Sequence, residues 1–429
     1  MKRRYFFYIA AVFIHLLASA AVSPAQELTY ERYQFKPYIT LEEKYTSNVN
    51  RIRTDKKDDY ITTAYPGFRI TGNDPVFGVD MDVHMASSLY ARNSQYNYTG
   101  YDGHINLRYN PDPALTFKLR DNAIKSENPR YRDYAVVSPM PQYLAIIQQG
   151  RFIYTQNHLE PSVDWQFSRL GNVGFTYNNS IYRNERAGVN ESTNQTYSPR
   201  LSYGFNEQNG ILIDYSYIMA NHSVYSDLKG HTYHGRYTYK FDPRLSTFAD
   251  YSFSKRDYDS GTSYNVHSPT AGIEHSFNPT LTGLLQLGYY YSDPSTGKSH
   301  SGLSSTLKLT QSDRQTTYSI ALESGFREFF YATQGKNQNF AQYYGAIASV
   351  SHKPVERCNI SLSGSVRNVD YVYGDRKDWI YSVDLHTDYQ ILKWLSIFGK
   401  VGFWSNDISI NSGRNDEFHA IIGLTATYL

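Results

Sequence analysis

The sequence predicts an all-β fold, a closed antiparallel transmembrane β-barrel of about 18–20 strands. Three observations carry this prediction. Apolar and polar residues alternate with a period of two along most of the chain. Short turns recur roughly every 34 to 41 residues, with longer polar loops between them. Aromatic residues gather where strands approach the short turns, as expected at a membrane interface.

The N-terminus has the layout of a secretory signal peptide. Lys2, Arg3 and Arg4 precede an apolar run that ends in small residues and Ser23-Pro24-Ala25-Gln26. The alternative, a membrane-anchoring helix, is disfavoured because the run is shorter than the ~20 residues needed to span a bilayer. We therefore expect residues 1–25 to be a signal peptide and residues 26–429 to form an outer-membrane β-barrel.

Composition excludes several other classes. The mean hydropathy is −0.56, and no apolar stretch after the signal is long enough for a spanning helix. With one cysteine, Cys358, the chain can form neither a disulfide framework nor a cysteine-based metal or haem site. The net charge of +2 gives no reason to expect a nucleic-acid partner.

The short turns divide the chain after the signal into hairpins. We place them at Gly72–Pro75, Pro111–Pro113, Arg169–Asn172, Glu207–Asn209, Asp242–Arg244, Asn278–Pro279, Ser312–Arg314, Lys353–Glu356 and Leu392–Lys393. Longer polar segments alternate with them, at Arg51–Asp59, Asn184–Asn194, Lys255–Ser263, Ser292–Ser301 and Tyr373–Asp378. Short periplasmic turns with longer extracellular loops are typical of bacterial barrels.

The alternation assigns side chains to two faces. In the segment from Ile211 to Ile218, Ile213, Tyr215 and Tyr217 lie on one face, whereas Asp214 and Ser216 lie on the other. A soluble β-propeller also alternates, but each blade divides its repeat into four short strands. The repeats here divide into two strands of about a dozen residues, which suits a tilted bilayer crossing. Expected girdle residues are Tyr109, Phe117, Phe167, Phe175, Phe241 and Phe248.

The polar face should line a water-filled lumen. The lumen-lining residues we predict are Asp80, Asp82, His84, Lys118, Arg120, Asp214, Arg236, Lys240, Asp250, Glu323, Arg327, Arg367, Asp384, Asp388 and Lys400. Acids and bases balance, which suits neutral or weakly charged solutes, although a self-neutralising ion-pair network would look the same. Tyr182, Tyr290, Phe248, Phe398 and Trp404 also point inward in this register, either as a sliding surface for sugars or as space-filling groups.

One interval between short turns is about twenty residues longer than the rest. Its segment from Asn128 to Gly150 is unusually apolar for a surface loop. We expect it to fold inward as a constriction, with Tyr134, Tyr143 and Leu144 facing the lumen; packing against a neighbouring loop or a partner is the alternative.

A family resemblance rests on the segment Thr54 to Gly67, in which a charged loop leads into a strand that reaches Pro66-Gly67. This segment resembles the opening hairpin of the putative β-barrel porin 2 family, and later aromatic-Asn/Asp-Pro turns extend the resemblance over the mature chain. The last strand, Ile422 to Leu429, resembles an outer-membrane assembly signal, except that Leu429 replaces a terminal Phe. The resemblance implies an outer-membrane porin, and some relatives are associated with exopolysaccharide secretion.

Three functions are considered at this stage, and the third, an outer-membrane enzyme, is disfavoured by the absence of a recognisable catalytic set in the sequence. The first is a channel for small polar solutes or saccharides, including one that serves exopolysaccharide export. The second is a structural barrel that sheathes a periplasmic partner such as an electron carrier or exporter. His84, His234 and His386 lie on separate strands, so we expect no catalytic site, metal or cofactor. The expected partners are outer-membrane lipid, the barrel-assembly machinery and a transported saccharide or polar solute.

Overall fold

The computed structural model describes residues 33–127, 152–188, 190–261, 263–328, 340–372, 376–409 and 413–428. No helix among these residues is long and apolar enough to cross a membrane. The predicted signal peptide lies outside this described part of the chain. So do Tyr134, Tyr143 and Leu144 of the predicted constriction.

Twenty strands form a single closed sheet, and each strand pairs antiparallel with its neighbours in the chain. The strands are β1 (Tyr33–Thr46), β2 (Asp59–Asn73), β3 (Phe77–Tyr90), β4 (Tyr98–Asp112), β5 (Leu115–Ser126), β6 (Tyr154–Ser168), β7 (Gly171–Asn184), β8 (Ser192–Gly204), β9 (Asn209–His222), β10 (Leu228–Asp242), β11 (Leu245–Tyr258), β12 (Ser263–Ser276), β13 (Leu281–Pro294), β14 (His300–Ser312), β15 (Thr316–Glu328), β16 (Phe340–Val355), β17 (Cys358–Tyr371), β18 (Lys377–Leu392), β19 (Leu395–Ile408) and β20 (Gly413–Thr427). One 3-10 helix, Ser94–Tyr96, precedes β4.

Closure is made by β1 and β20. Leu41 lies opposite Leu424 in this pair, and the ladder runs from Tyr38–Thr427 to Thr46–His419. A closed sheet has no free edge strand, which a bilayer requires because backbone groups in hydrocarbon must be paired. The predicted closed antiparallel barrel is confirmed, with a strand number at the upper end of the expected range.

Asn or Asp side chains build several of the short turns. Oδ1 of Asp74 accepts from the backbone N–H groups of Val76 and Phe77 at 2.8 and 2.7 Å. Asn206, Asp242 and Asn278 accept in the same way from the residues two and three positions later. Such a side chain replaces a missing backbone partner and stabilises a tight reversal. The predicted turns therefore have a local chemical cause.

The two faces of the sheet differ as the alternation predicts. Apolar side chains such as Ile213, Leu287 and Leu362 are about half exposed on one face. Directly paired strand residues share a face, and following the pairs around the sheet places every buried apolar strand residue on the opposite face. Side chains converge on the concave side of a closed sheet, so the buried face is the lumen wall and the exposed apolar face meets lipid.

The predicted aromatic girdle is present at the short-turn ends of the strands, which we call the lower end of the barrel. Tyr109, Phe117, Phe167, Phe175 and Phe241 are all on the outer face and about 40 to 54% exposed. Phe248 is the exception, because its side chain is buried on the lumen wall. The prediction that Phe248 belongs to the girdle is wrong. Phe248 pairs with Thr238 and therefore lies on the face opposite to Tyr237.

Candidate functional site: the lumen wall

The strand registers place the predicted lumen residues on the inner face. Each lies an even number of positions along its strand from a buried inner-face residue and therefore shares its face. Asp80 and Asp82, for example, share the inner face of β3 with buried Ala86. This holds for Asp80, Asp82, His84, Lys118, Arg120, Asp214, Arg236, Lys240, Asp250, Glu323, Arg367, Asp384, Asp388 and Lys400. Arg327 has the same parity on β15, but its side chain is outside the described part of the structure.

Tyr38 joins three strands of the wall through Asp82. Its hydroxyl donates to Oδ1 of Asp82 at 2.6 Å and lies 3.3 Å from Nδ1 of His84. On the other side, Arg69 donates from Nε and Nη2 to Oδ2 of Asp82 at 3.0 and 2.7 Å. Tyr38 reaches β3 because Gly67 lies between them: a Cβ there would come within 2.7 Å of both Tyr38 and His84. The positive charge of Arg69 therefore balances the negative charge of Asp82.

A second cluster centres on His234 and Asp250. Nδ1 of His234 lies 2.9 Å from Oδ2 of Asp214, and Nε2 lies 3.1 Å from Oδ1 of Asp250. Arg236 donates from Nε and Nη2 to the two oxygens of Asp250, at 2.7 and 3.0 Å. Its guanidinium also covers the ring of Phe248, 4.2 Å from the centroid. Strands β9 to β11 are thus cross-linked by charge on the lumen side.

A third cluster brings two cations to one carboxylate. Asp164 on β6 accepts from Nη2 of Arg200 at 2.8 Å and lies 3.4 Å from Nζ of Lys118. Arg200 is on β8 and reaches over Gly174 of β7, where a Cβ would lie 2.7 Å from Oδ1 of Asp164. Next to this cluster, Nη1 of Arg120 donates to Glu160 at 3.2 Å. Cations and carboxylates alternate around this sector of the wall.

Beside the barrel closure, Asp384 is the acceptor of a fourth cluster. Its Oδ1 lies 3.5 Å from Nζ of Lys400 and 3.5 Å from Nε2 of His419. Nearby, Nε2 of His386 lies 2.8 Å from Asp388. Elsewhere, Arg367 is buried beneath the ring of Tyr343.

Aromatic rings on the inner wall lie flat across glycines of the next strand. Phe248 covers Gly272 and Phe398 covers Gly423, where an added Cβ would come within 2.3 and 2.2 Å of the rings. Tyr290 covers Gly302 in the same manner. A glycine opposite an aromatic ring lets the ring pack against the sheet and pins the register. These rings therefore extend along the wall rather than across the lumen.

Among the described residues, two features at the long-loop end of the barrel narrow its mouth, and neither was predicted from the sequence. In the loop 47–58, Asn48, Val49, Asn50 and Arg51 are buried, and Nε of Arg51 donates to Glu417 on the inner wall of β20 at 2.9 Å. Arg51 also lies over Trp404, 5.0 Å from its ring. No local pattern in a polar loop shows that it folds inward, because the partners come from the other end of the chain.

The second feature is the upper part of the β15–β16 hairpin. The ladder from β14 to β15 ends at Ser305–Ser324. Beyond that point Phe326 packs on Tyr290 of the inner wall, 5.1 Å between ring centroids. Oε1 of Gln342 lies 3.3 Å from Nε2 of His300. The upper hairpin thus leans over the lumen side of β13 and β14.

The wall also contains an open concavity of about 760 Å³ near the short-turn end of β1 to β5. It is lined by amides, a hydroxyl, an acid and three cations; these include Gln34, Thr71, Asp80, Arg108, Lys118 and Arg120. Arg108 donates to Oδ1 of Asn73 and to the carbonyl oxygen of Asp74, both at 2.6 Å. No group of three or more metal-ligating side chains occurs among the described residues.

Comparison with known proteins agrees with this architecture. Residues 222–427, from the end of β9 through β20, match the family described as "Putative beta-barrel porin 2". The opening hairpin at Thr54–Gly67 lies before the matched region, so the match rests on the second half of the barrel. The matched family is one of porins, not enzymes. No curated protein sequence matches the chain.

Solved structures of outer-membrane receptors share the fold at low identity. The siderophore receptor PirA from Pseudomonas aeruginosa has a TM-score of 0.52 and 10% identity, over 92% of this chain and 80% of the receptor. PirA from Acinetobacter baumannii has a TM-score of 0.53 and 8% identity, over 94% and 81%. A ferric enterobactin receptor from P. aeruginosa has a TM-score of 0.52 and 9% identity, over 92% of this chain and 80% of the receptor. These likenesses show the barrel fold alone.

Fold and family match together support a location in the bacterial outer membrane. The predicted resemblance is confirmed, because residues 222–427 of this 20-stranded barrel match the putative beta-barrel porin 2 family.

Proposed function

We propose that the protein is an outer-membrane channel whose lumen conducts small polar solutes or saccharides. The observation that carries this proposal is the inner wall, where polar and charged side chains face the lumen in clusters that neutralise one another. Asp82, Asp164, Asp250 and Asp384 each have at least one basic partner within 3.5 Å. A wall of this kind is wet and has little overall preference for either sign of charge.

The strands leave the lumen available for conduction. Barrels of 16 to 18 strands enclose aqueous channels, whereas 22-stranded transporters hold a plug. Here every described strand belongs to the wall, so none of them forms a separate domain inside the barrel. The Arg51 loop and the upper β15–β16 hairpin narrow the extracellular mouth, and they would limit the size of solute that passes.

A saccharide is the solute class that the wall chemistry suits best. Sugars need hydrogen-bonding groups together with flat apolar surfaces. The inner face has both, since Phe398 lies flat against the wall and the concavity at β1 to β5 is lined by Gln34, Thr71 and Asn106. Export of an exopolysaccharide, which the resemblance to the putative β-barrel porin 2 family implies, is the finer form of this proposal.

Liposome swelling tests the proposal. Vesicles containing the purified, refolded barrel should swell in neutral sugars at rates that fall as the sugar becomes larger. The same vesicles with heat-denatured protein are the control. Vesicles that contain folded barrel but remain impermeable to monosaccharides would exclude the channel and favour the sheath for a periplasmic partner.

A further inference from the structure

The outer face of β10 to β12 carries two lysines and two histidines near the long-loop ends of these strands. Lys229 and His231 on β10 share the outer face with Tyr233, and Lys255 on β11 lies directly opposite His231. On β12, His267 lies opposite Phe253. Basic side chains on a lipid-facing surface are costly at the bilayer centre but not at the interface. Their height therefore determines what they contact.

Strand geometry places these groups at the outer-leaflet boundary. Phe241 of the lower girdle and His231 are both on β10, ten positions apart. At about 3.3 Å per residue and a tilt of roughly 40°, His231 lies about 25 Å above Phe241, which is the height of the apolar band of such barrels. Lys255 is level with His231, and Lys229 lies two residues farther along β10 toward the long-loop end. Both lysines are thus at headgroup depth.

Tyrosines hold the two histidines in place. The hydroxyl of Tyr215 lies 2.8 Å from Nδ1 of His231, and that of Tyr251 lies 2.7 Å from Nδ1 of His267. Where the hydroxyl donates to Nδ1, the proton of the neutral ring is on Nε2, which can then donate to another acceptor. The charged groups facing this surface are Lys229, Lys255 and Asp257, of which Lys255 lies 3.4 Å from Asp257. One cation therefore remains in excess, with two histidines beside it.

Directly below this polar row the outer surface has a slot. A Cβ added at Gly235 would have no heavy atom within 4 Å. Ile213 and Tyr251 lie opposite Gly235 on the two neighbouring strands, and Tyr233 and Tyr237 flank it along β10; these four side chains are 45 to 50% exposed. Ala249 and Ala271, which face each other across β11 and β12, continue the small-residue floor. The slot therefore has a floor of glycine and alanine, and its sides are Ile213 and three tyrosine rings.

We propose that the outer face of β9 to β12 binds a phosphorylated, acylated glycolipid of the outer leaflet. A phosphate accepts from Lys255, Lys229 and Nε2 of His231, and one acyl chain fills the slot over Gly235. Charge complementarity at the boundary and open apolar space below it match the two parts of such a lipid. The site is independent of the lumen, so it does not depend on the proposed channel function.

Native mass spectrometry of the folded barrel with bis-phosphorylated lipid A tests the site. Lys229→Gln with Lys255→Gln should weaken binding about 30-fold, because each lysine near an anionic lipid surface contributes roughly a fivefold gain. Lys125→Gln is the matched control, as Lys125 is also on the outer face near the extracellular end, on β5. Heat-modifiable gel mobility verifies that each variant is folded. Equal losses in the double variant and the Lys125 control would overturn the proposal.

The acyl slot is tested separately with Gly235→Leu, which fills the open space without adding charge. This variant should reduce lipid A binding while leaving the folded fraction unchanged. Lipid A from which both phosphates have been removed should bind the wild-type barrel as weakly as intact lipid A binds the double lysine variant. If Gly235→Leu binds normally, or if dephosphorylated lipid A binds as tightly as the intact lipid, the assigned site is wrong.

Discussion

Nε of Arg51 donates to Oε2 of Glu417 at 2.9 Å, and the two side chains are only 8% and 0% exposed. The pair connects the loop between β1 and β2 to the last strand, across the barrel closure. The hydroxyl of Thr46 also donates to Glu417, at 2.6 Å. The loop 47–58 is therefore held against the inner wall by a buried, hydrogen-bonded ion pair.

Removing Arg51 should release this loop. Arg51→Ala leaves Glu417 buried beside fewer partners, and breaking a buried pair in this way costs about 3 to 5 kcal/mol. We expect the loop to become sensitive to protease on intact cells and the single-channel conductance to rise. Lys56→Ala is the control, because Lys56 pairs with Asp416 in the same region but both side chains are about one-third exposed. Identical conductance in the two variants would contradict a mouth narrowed by this loop.

Substitutions on the two faces of β17 should differ. Leu362 faces lipid and is 48% exposed, whereas Ser363 faces the lumen opposite Asp384. Leu362→Arg should destabilise the barrel by about 2 to 4 kcal/mol if the site lies near the midplane, and Ser363→Arg should assemble normally, with Asp384 in reach of its guanidinium. The folded fraction after refolding is the measurement. Equal tolerance at the two positions would mean that the faces are interchanged.

The orientation of the barrel can be tested with epitope tags. The segment 295–299 joins β13 to β14 and contains Gly297, which has a positive φ of 103° and open space around it. A tag inserted there should react with antibody on intact cells. A tag in the turn at Asn278-Pro279 should react only after the outer membrane is permeabilised. The reverse pattern would place the short turns outside the cell.

Asp250 should control ion selectivity locally. Asp250→Asn removes the carboxylate that Arg236 and His234 share, so the Arg236 charge becomes available to the lumen. Permeability for chloride relative to potassium should rise, most clearly at low salt where the Debye length is long. Glu274→Gln is the control, since Glu274 is half exposed and 3.9 Å from Arg236. A reversal potential that moves equally in both variants would argue against a specific role for Asp250.

The strand ends show where sequence patterns lose precision. The polar segment Lys255–Ser263 was expected to be a loop, but β11 continues to Tyr258 and β12 begins at Ser263. Lys255 and Asp257 interrupt the apolar pattern because this end of the strand reaches the headgroup region. Backbone pairing does not depend on the lipid, so the ladder continues where the apolar outer residues end.

The sequence by itself determined the strand type and the short turns, since alternation and turn chemistry are local properties. It did not determine which charges meet. Arg200 reaches Asp164 over Gly174, and Arg51 meets Glu417 across the seam between β1 and β20. These partners are brought together by the registers of intervening strands and by closure of the sheet. The tertiary structure alone decides such contacts, because their energy depends on where distant strands lie side by side.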